Sequence, residues 1–510
     1  MTDAARDRNN IFGEIKTAVR HSTVYGLGNV LVKVLGFAML PFYTHYLSPA
    51  SYGLLEILDL SMSLLAMVLH MGIAPAFLRR YAAAQSVEEK NTAVSTAFLF
   101  ICGTGLIVSI LGLAFVRPVS ALLFGPEVPS LYLLMSFGSF LLSYVASLPR
   151  TYLRALEASG AFTAVESISL FAMLGLNIYF IAVLKIGLMG ILLSSVIVMG
   201  VQALLLSIWT VRAVGIHFSG VQLQSMVTFG LPLIFSNLAI FALNFSDRFF
   251  LQHLWSLEVV GIYAVGYKFG FMMNYLLVQP FYAMWQSRMY VIHSKPQHPA
   301  IFRQIFMFYS LLLVYAGLAL SVLSPEIIRV MAGPQFSSSQ DVIPIIVLAY
   351  VFYGIGYFVQ SGMFLATKTS LLGLVSICAA VLNLGLNYVL ILHFGVFGAA
   401  WATLLSFIAI AAGSYLVSQR VMPLPLDIKR VAMVVLLGIA GYLLCRWASP
   451  ESLGAALLTK AFVLAVFPFL LWKMRILSPA ELVTVASATD KTRAGVSRLL
   501  AFVSGTVVNL

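Results

Sequence analysis

Long apolar runs recur along the whole chain, separated by short stretches that carry most of the Lys, Arg and Pro. A helix needs about 20 mainly apolar residues to cross the hydrocarbon core of a bilayer. Fourteen runs meet that requirement, starting near residues 22, 52, 91, 128, 163, 187, 221, 258, 303, 341, 371, 396, 429 and 453. The connections between them reach at most about twenty residues, the ordinary-to-long end of loop lengths. The predicted fold is an all-α polytopic membrane protein with about 14 transmembrane helices.

Polar residues inside these runs are not scattered. Positions three and four apart share a helix face. In the second run Glu56, Asp59, Ser63, Ala66 and His70 step by 3, 4, 3 and 4. They form one stripe about 21 Å long at ~1.5 Å per residue. Ser22, Tyr25, Asn29, Lys33 and Gly36 make a similar stripe on the first run, and Asn237, Asn244 and Arg248 one on the seventh. On the eighth, Lys268, Tyr275 and Gln279 follow the same rule, with Tyr263, Tyr267 and Asn274 nearby. A charge at bilayer depth costs at least about 2.5 kcal/mol, so such residues face protein or water.

Composition agrees with a bilayer as solvent. The chain has 510 residues, 61% hydrophobic and only 9% charged, where a soluble protein carries roughly a quarter charged residues. Its mean hydropathy is +0.98. Cys102, Cys378 and Cys445 lie far apart in apolar runs and read as packing residues without a disulfide framework. The opening MTDAARDRNNIFGEIKTAVR is charged and lacks a signal-peptide pattern, so a retained cytoplasmic segment is expected. The net charge of +12 is a topology signal. With the N-terminus cytoplasmic, 22 of the 30 Lys and Arg fall on the cytoplasmic side, six on the other and two, Lys33 and Lys268, inside spans. That asymmetry follows the positive-inside rule and puts both termini in the cytoplasm. Nucleic acid is not an expected partner.

The chain also repeats itself. LRALEASGAFTAVESISLFAMLGLNIYFIAVLKIGLMGILLSS from Leu153 matches FLATKTSLLGLVSICAAVLNLGLNYVLILHFGVFGAAWATLLS from Phe364. Each holds LGLN, an apolar run, a polar residue (Lys185, His393) and G-x-x-G. The passage from Tyr25 matches the one from Phe229, pairing Gly26 with Gly230, Gly53 with Gly261 and Lys33 with Asn237. Six spans therefore repeat as six in the same orientation, and two helices follow. The expected division is a cytoplasmic segment 1–21, an N-lobe 22–215, a C-lobe 216–420, two extra helices 421–476 and a cytoplasmic tail 477–510. Parallel repeats of this kind are a transporter architecture with the substrate site between the halves.

Three passages resemble a known family. LNLGLNYVLILHFGVFGAAWATLLS (Leu382 to Ser406), NFSDRFFLQHLWSLEVVGIYAVGYK (Asn244 to Lys268) and YLSPASYGLLEI are similar to signatures of the polysaccharide-biosynthesis, Wzx-like flippases. These belong to the multidrug/oligosaccharidyl-lipid/polysaccharide (MOP) exporter superfamily. The likeness runs in order from about residue 20 to 420. It implies two MATE-like six-helix bundles and movement of a polyprenyl-diphosphate-linked oligosaccharide across the inner (cytoplasmic) membrane by alternating access. Membrane lipids and polysaccharide polymerase or assembly proteins are the partners it implies, with no cofactor and no metal.

On that expectation the residues divide by chemistry. A diphosphate cannot enter a low-dielectric cavity unpaired, and Lys33, Lys268 and Arg248 are the cations within reach, Arg248 with a bidentate fork. Tyr25, Asn29, Asn237, Asn244, Tyr263, Tyr267 and Tyr275 supply the hydroxyls, amides and ring faces that sugars need. Glu56, Asp59 and His70 suit charge balance or ion coupling. Lys33 either meets substrate or pairs with Glu56 or Asp59, and Arg248 either meets substrate or pairs with Asp247. Arg150 and Arg154 read either as positive-inside charge or as a basic entrance. Asn177 and Asn387, at matching repeat positions, favour helix-packing hydrogen bonds, and His393 an interfacial place.

Other functions fit less well. A multidrug exporter would favour the acidic stripe of the second span but is opposed by Lys33, Lys268 and Arg248. A lipid II flippase shares the fold. A membrane enzyme such as a glycan polymerase needs a large outer loop or a carboxylate cluster beside an open face, whereas the loops reach at most about twenty residues and no metal-ligand spacing appears. No G-x-x-x-x-G-K-[ST] phosphate loop occurs, so an ion gradient or the membrane potential is the expected drive.

Overall fold

A computed structural model describes residues 36–448, 450, 452–474 and 476. Among these residues every regular element is a helix. The short α1 (Leu40–Tyr46) ends one extended turn before α2 (Pro49–Leu69), which Ser48 caps by accepting from the Ser51 backbone N–H at 3.2 Å. Then come α3 (Ile73–Ala83), α4 (Val87–Phe124), α5 (Ser130–Ala155), α6 (Ser159–Ile178, extended by a π turn Tyr179–Val183) and α7 (Leu188–Val214). Next are α8 (Gly220–Leu254) and α9 (Leu257–Met273), the latter running through a π turn Asn274–Val278 into α10 (Gln279–His293). The remainder is α11 (His298–Val322), α12 (Ser324–Met331), a 3-10 segment Pro334–Asp341, α13 (Ile343–Val359), α14 (Ser361–Leu365), α15 (Thr369–Val421), α16 (Ile428–Ala448) and α17 (Leu453–Lys473).

Ten of the described helices are long and apolar enough to cross a membrane. The 53-residue α15 is one of them, and it breaks at Gly395, whose φ of 53° and ψ of −124° fall outside the helical region. The break stands where two successive spans were expected, the second from near 396. Other starts agree closely: Leu188, Gly220, Leu257, Ile428 and Leu453. The expected first span begins at 22, outside the described residues.

Two features were not anticipated. The start of α4 precedes the apolar run, because Ser86 accepts from Glu89 N–H at 3.1 Å while Glu89 accepts from Gln85 N–H at 3.0 Å. That reciprocal cap holds a polar lead-in as helix. The connection after α2 is itself the helix α3, whose Ile73, Ala76 and Phe77 are buried against Leu69, Val94, Phe98 and Tyr144. Its polar residues, read along the chain alone, made it look like a loop.

The chain forms two compact units. The first is drawn from Met1–Val265, Ile327–Ser339 and Ser376–Thr403, the second from Gly266–Glu326, Gln340–Val375 and Leu404–Leu510. Within the first, α2 meets α9 at two glycines. A Cβ on Gly53 would overlap the Leu257 carbonyl, and one on Gly261 would overlap that of Pro49. Gly53 and Gly261 are repeat-equivalent, so the two repeats meet here at matching positions. Gly72 and Gly230 make a second approach of the same closeness.

Candidate functional site

In the first unit, Glu56, Asp59, Ser63 and His70 lie on the less buried face of α2, away from the buried Leu54, Ile57 and Leu58. His70 Nδ1 donates to the Ala66 carbonyl at 2.8 Å. Its ring stands edge-on to Tyr144 at 4.9 Å, and the Tyr144 hydroxyl donates to the Leu69 carbonyl. His70 is thereby fastened to the end of its own helix. Tyr25, Asn29 and Lys33 lie outside the described residues, as does the side chain of Asn237.

Arg150 turns back on its own helix. Its Nη2 donates to Ser143 O and Oγ at 3.1 and 3.2 Å, and Nη1 stands 3.7 Å from Glu166. Arg154 is exposed, donates to Thr151 Oγ1 at 3.0 Å and lies over the Phe162 ring.

Arg248 and Asp247 are among the most buried charged groups described, 1% and 2% exposed. Arg248 Nη1 donates to Asp247 Oδ1 at 2.7 Å and to Asn244 O at 2.8 Å. The other carboxylate oxygen accepts from the Tyr263 hydroxyl at 2.5 Å and from Thr403 Oγ1 at 3.4 Å. The guanidinium also lies over the rings of Phe245 and Tyr263. Of the two readings of Arg248, the local pair with Asp247 is the one present here. Tyr263 and Asn244 serve the same cluster, Asn244 also donating to Ile240 O.

Beside it, Asn387 donates to Ser246 Oγ at 3.1 Å and to Asn383 Oδ1 at 2.9 Å, while Ser246 donates to Asn383. In the first repeat Asn177 donates to the Tyr43 hydroxyl at 2.7 Å. Both LGLN asparagines therefore tie their helix to the helix that opens their own repeat. Asn383 was not singled out from sequence, although its i, i+4 spacing from Asn387 was the available signal.

The second unit holds a different arrangement. Along α9 and α10, Lys268, Phe271, Tyr275, Gln279, Tyr282 and Gln286 step by 3, 4, 4, 3 and 4. All six are half-buried or exposed, whereas Phe269, Met273, Trp285 and Met289 on the same helices are buried. The π turn at Asn274–Val278 inserts its extra residue within this run. On α13 and its cap, Tyr350, Tyr353, Tyr357 and Gln360 step by 3, 4 and 3. The two rows meet. Tyr282 and Tyr357 rings are 4.4 Å apart, Phe271 and Tyr350 5.4 Å, and the Tyr267 and Tyr350 hydroxyls are 2.8 Å apart. The Tyr353 and Tyr357 hydroxyls are 3.0 Å apart, and Gln286 donates to Tyr282 at 2.6 Å.

Behind these rows Phe281 stacks on Tyr309 at 3.7 Å, and the buried Trp285 donates to Ser361 at 2.7 Å. The rows bring ring faces, hydroxyls and amides together with an ammonium-bearing residue at one end. Tyr267, Tyr350 and Tyr353 are buried within them, Tyr275 and Gln279 are exposed, and Tyr282, Gln286, Tyr357 and Gln360 are half-buried. Lys268, Tyr267 and Tyr275 were expected from sequence. Tyr282, Gln286, Tyr353, Tyr357 and Gln360 were missed, although the 3/4 spacing continues unbroken to them. Among the described residues no group of three or more His, Cys, Asp or Glu stands where it could hold a metal.

The family model described as polysaccharide biosynthesis protein matches residues 18–285, just over half of the chain. The chain belongs to that family. Its fold is shared with solved transporters: a lipid II flippase MurJ in an inward closed conformation superposes with a TM-score of 0.69 at 14% identity, over 89% of this chain and 100% of that one. An inward-facing multidrug resistance MATE transporter of the MOP superfamily gives 0.61 at 14% identity, over 79% and 95%. No curated protein matches by sequence. The family member described here is thus an all-α, multi-pass membrane protein with the MOP transporter fold.

Proposed function

We propose that the protein carries a polyprenyl-diphosphate-linked oligosaccharide from the cytoplasmic to the outer leaflet of the inner membrane by alternating access, as a transporter and not as an enzyme. The observation that carries this reading is the double row from Lys268 to Gln286 and from Tyr350 to Gln360. Sugars bind through hydroxyl and amide partners combined with apolar ring faces, and a diphosphate requires cations. Few drug-like cations would need that mixture. Membership of the polysaccharide-biosynthesis family supports the same substrate class. Both termini are cytoplasmic on the positive-inside count. Lys33 and Lys268 supply the cations, while Glu56, Asp59 and His70 balance Lys33 or couple transport to an ion gradient or the membrane potential. Arg150 and Arg154 mark the cytoplasmic entrance.

The test is glycan export in a strain lacking its native transporter. Tyr282→Ala and Gln286→Ala each reduce export roughly tenfold at unchanged protein level, the loss of about 1.4 kcal/mol of contact. Full export by the double variant, with Lys268→Ala also fully active, sinks this reading. Drug resistance on overexpression without any glycan export would favour a multidrug exporter. Rescue of lipid II transport alone would favour that substrate.

A further inference from the structure

A cavity of mixed polar and apolar lining lies in the second unit, away from the tyrosine rows. It has a volume of about 190 Å³ and is lined by the end of α11, the start of α12, the end of the 3-10 segment, the end of α16 and α17. At ~30 Å³ per water it holds about six waters, the room of one sugar ring. Its floor is Lys460, 5% exposed, whose Nζ donates to both carboxylate oxygens of Glu326 at 2.6 Å. Its rim is Arg446 and Asp341, 3.6 Å apart, with Arg446 Nη1 also 3.3 Å from the Tyr442 hydroxyl. Ser321, Ser324 and Gln340 complete the polar lining.

Lys460 stands inside the apolar span of α17, not outside the spans where the charge count placed it, and a lysine there is costly and marks a functional place by default. The Glu326 pair explains how Lys460 is tolerated, and it fastens α17 to α12. It does not explain an open cavity above it, or a second acid–base pair at the mouth in which the groups stand apart. Side-chain exposures of 63% and 37% leave Arg446 and Asp341 available.

Two cations and two anions leave the cavity electrically balanced. A charged ligand gains a partner from Lys460 or Glu326 only by breaking their buried pair, which is costly, and at the exposed Arg446–Asp341 pair it meets a like charge beside the opposite one. A neutral polyhydroxylated ligand instead finds donors on Arg446 and Gln340 and acceptors on Asp341 and Ser324. Tyr442 adds a ring face. We propose that this cavity is a carbohydrate-binding site that holds one neutral sugar residue. On the topology proposed above it opens on the side to which glycan is delivered. That placement rests on the transport reading, whereas the binding itself does not.

The experiment uses the purified full-length protein in detergent, titrated with glucose, galactose, N-acetylglucosamine, rhamnose and glucuronate and followed by saturation-transfer NMR. At least one neutral sugar gives a saturable signal. Asp341→Ala and Arg446→Ala each weaken its affinity roughly tenfold or more, as for loss of a hydrogen bond to a charged group, and Lys473→Ala, exposed at the far end of α17, leaves it unchanged. Any of three results overturns the assignment: no neutral sugar binds, binding is insensitive to both rim variants, or glucuronate alone binds. Because the tyrosine-row variants are read separately in the export assay, failure of transport and failure of this pocket remain distinguishable.

Discussion

The two repeats keep the same backbone punctuation and carry different chemistry. Gly187 opens α7 at φ 57°, ψ −135°, and Gly395 breaks α15 at φ 53°, ψ −124°. The helices before them end alike. Glu157 and Thr367 both take positive φ, with Ala158 N–H bonded to Leu153 O and Lys368 N–H to Met363 O, the crossed bonds of a Schellman ending. Asn177 and Asn387 then make the same kind of tie. The side chains around those ties diverge. With Gly26 set against Gly230, Tyr43 and Thr44 of the first repeat stand where the second has Asp247 and Arg248. The matching passages share what backbone geometry demands and differ in their interior polar groups.

The charged version should be the more fragile. Asp247→Ala leaves Arg248 buried without its carboxylate, which costs on the order of 3–5 kcal/mol. Thr44→Ala at the matching place removes a hydroxyl that donates to Leu40 O at 2.9 Å and accepts from Gly333 N–H at 3.2 Å, worth about 1–3 kcal/mol. Apparent melting temperature in detergent reads the difference, and equal shifts would erase the distinction between the repeats.

The two glycines separate next. Alanine at either must adopt a conformation that L-residues avoid, costing about 1–3 kcal/mol. Gly187 has open space where a Cβ would go, whereas a Cβ on Gly395 stands 3.1 Å from the Trp255 ring. Gly395→Ala is therefore the more damaging of the pair. A weaker contrast follows for the asparagines. Asn387→Ala loses two hydrogen bonds and Asn177→Ala one, so the first costs about 2 kcal/mol and the second about 1. Thermal melts of the matched variants check both orders.

These contrasts also show what could be seen in the chain alone. Span starts, the repeat and the paired asparagines were legible because hydrophobic periodicity and spacing are local signals. The Asp247 cluster was not, since it needs Tyr263 and Thr403, brought in from other helices. Arg248 alone left two readings open, and only the packing of α9 and α15 against α8 decides between them. The tyrosine rows were half legible. Lys268 and Tyr275 announced a face whose 3/4 spacing runs on to Gln286, and its meeting with the tyrosines of α13 was not visible because the two rows are distant in sequence. Residues 334–341 carry little hydrophobic periodicity, so the 3-10 segment gave no signal.

The smallest predicted effect probes the shared punctuation itself. Glu157 and Thr367 hold positive φ of 54° and 55°, where glycine has no Cβ penalty. Replacing either with glycine removes about 1 kcal/mol of local strain but adds freedom to the unfolded chain, for a net gain of about 0.5 kcal/mol. The gains should not be equal. Threonine is branched at Cβ and tolerates this region less well than glutamate, so Thr367→Gly stabilises more than Glu157→Gly. Matched melts of the two variants measure the difference. A larger gain at Glu157 would mean that its side chain, and not its backbone, sets the strain at that helix end.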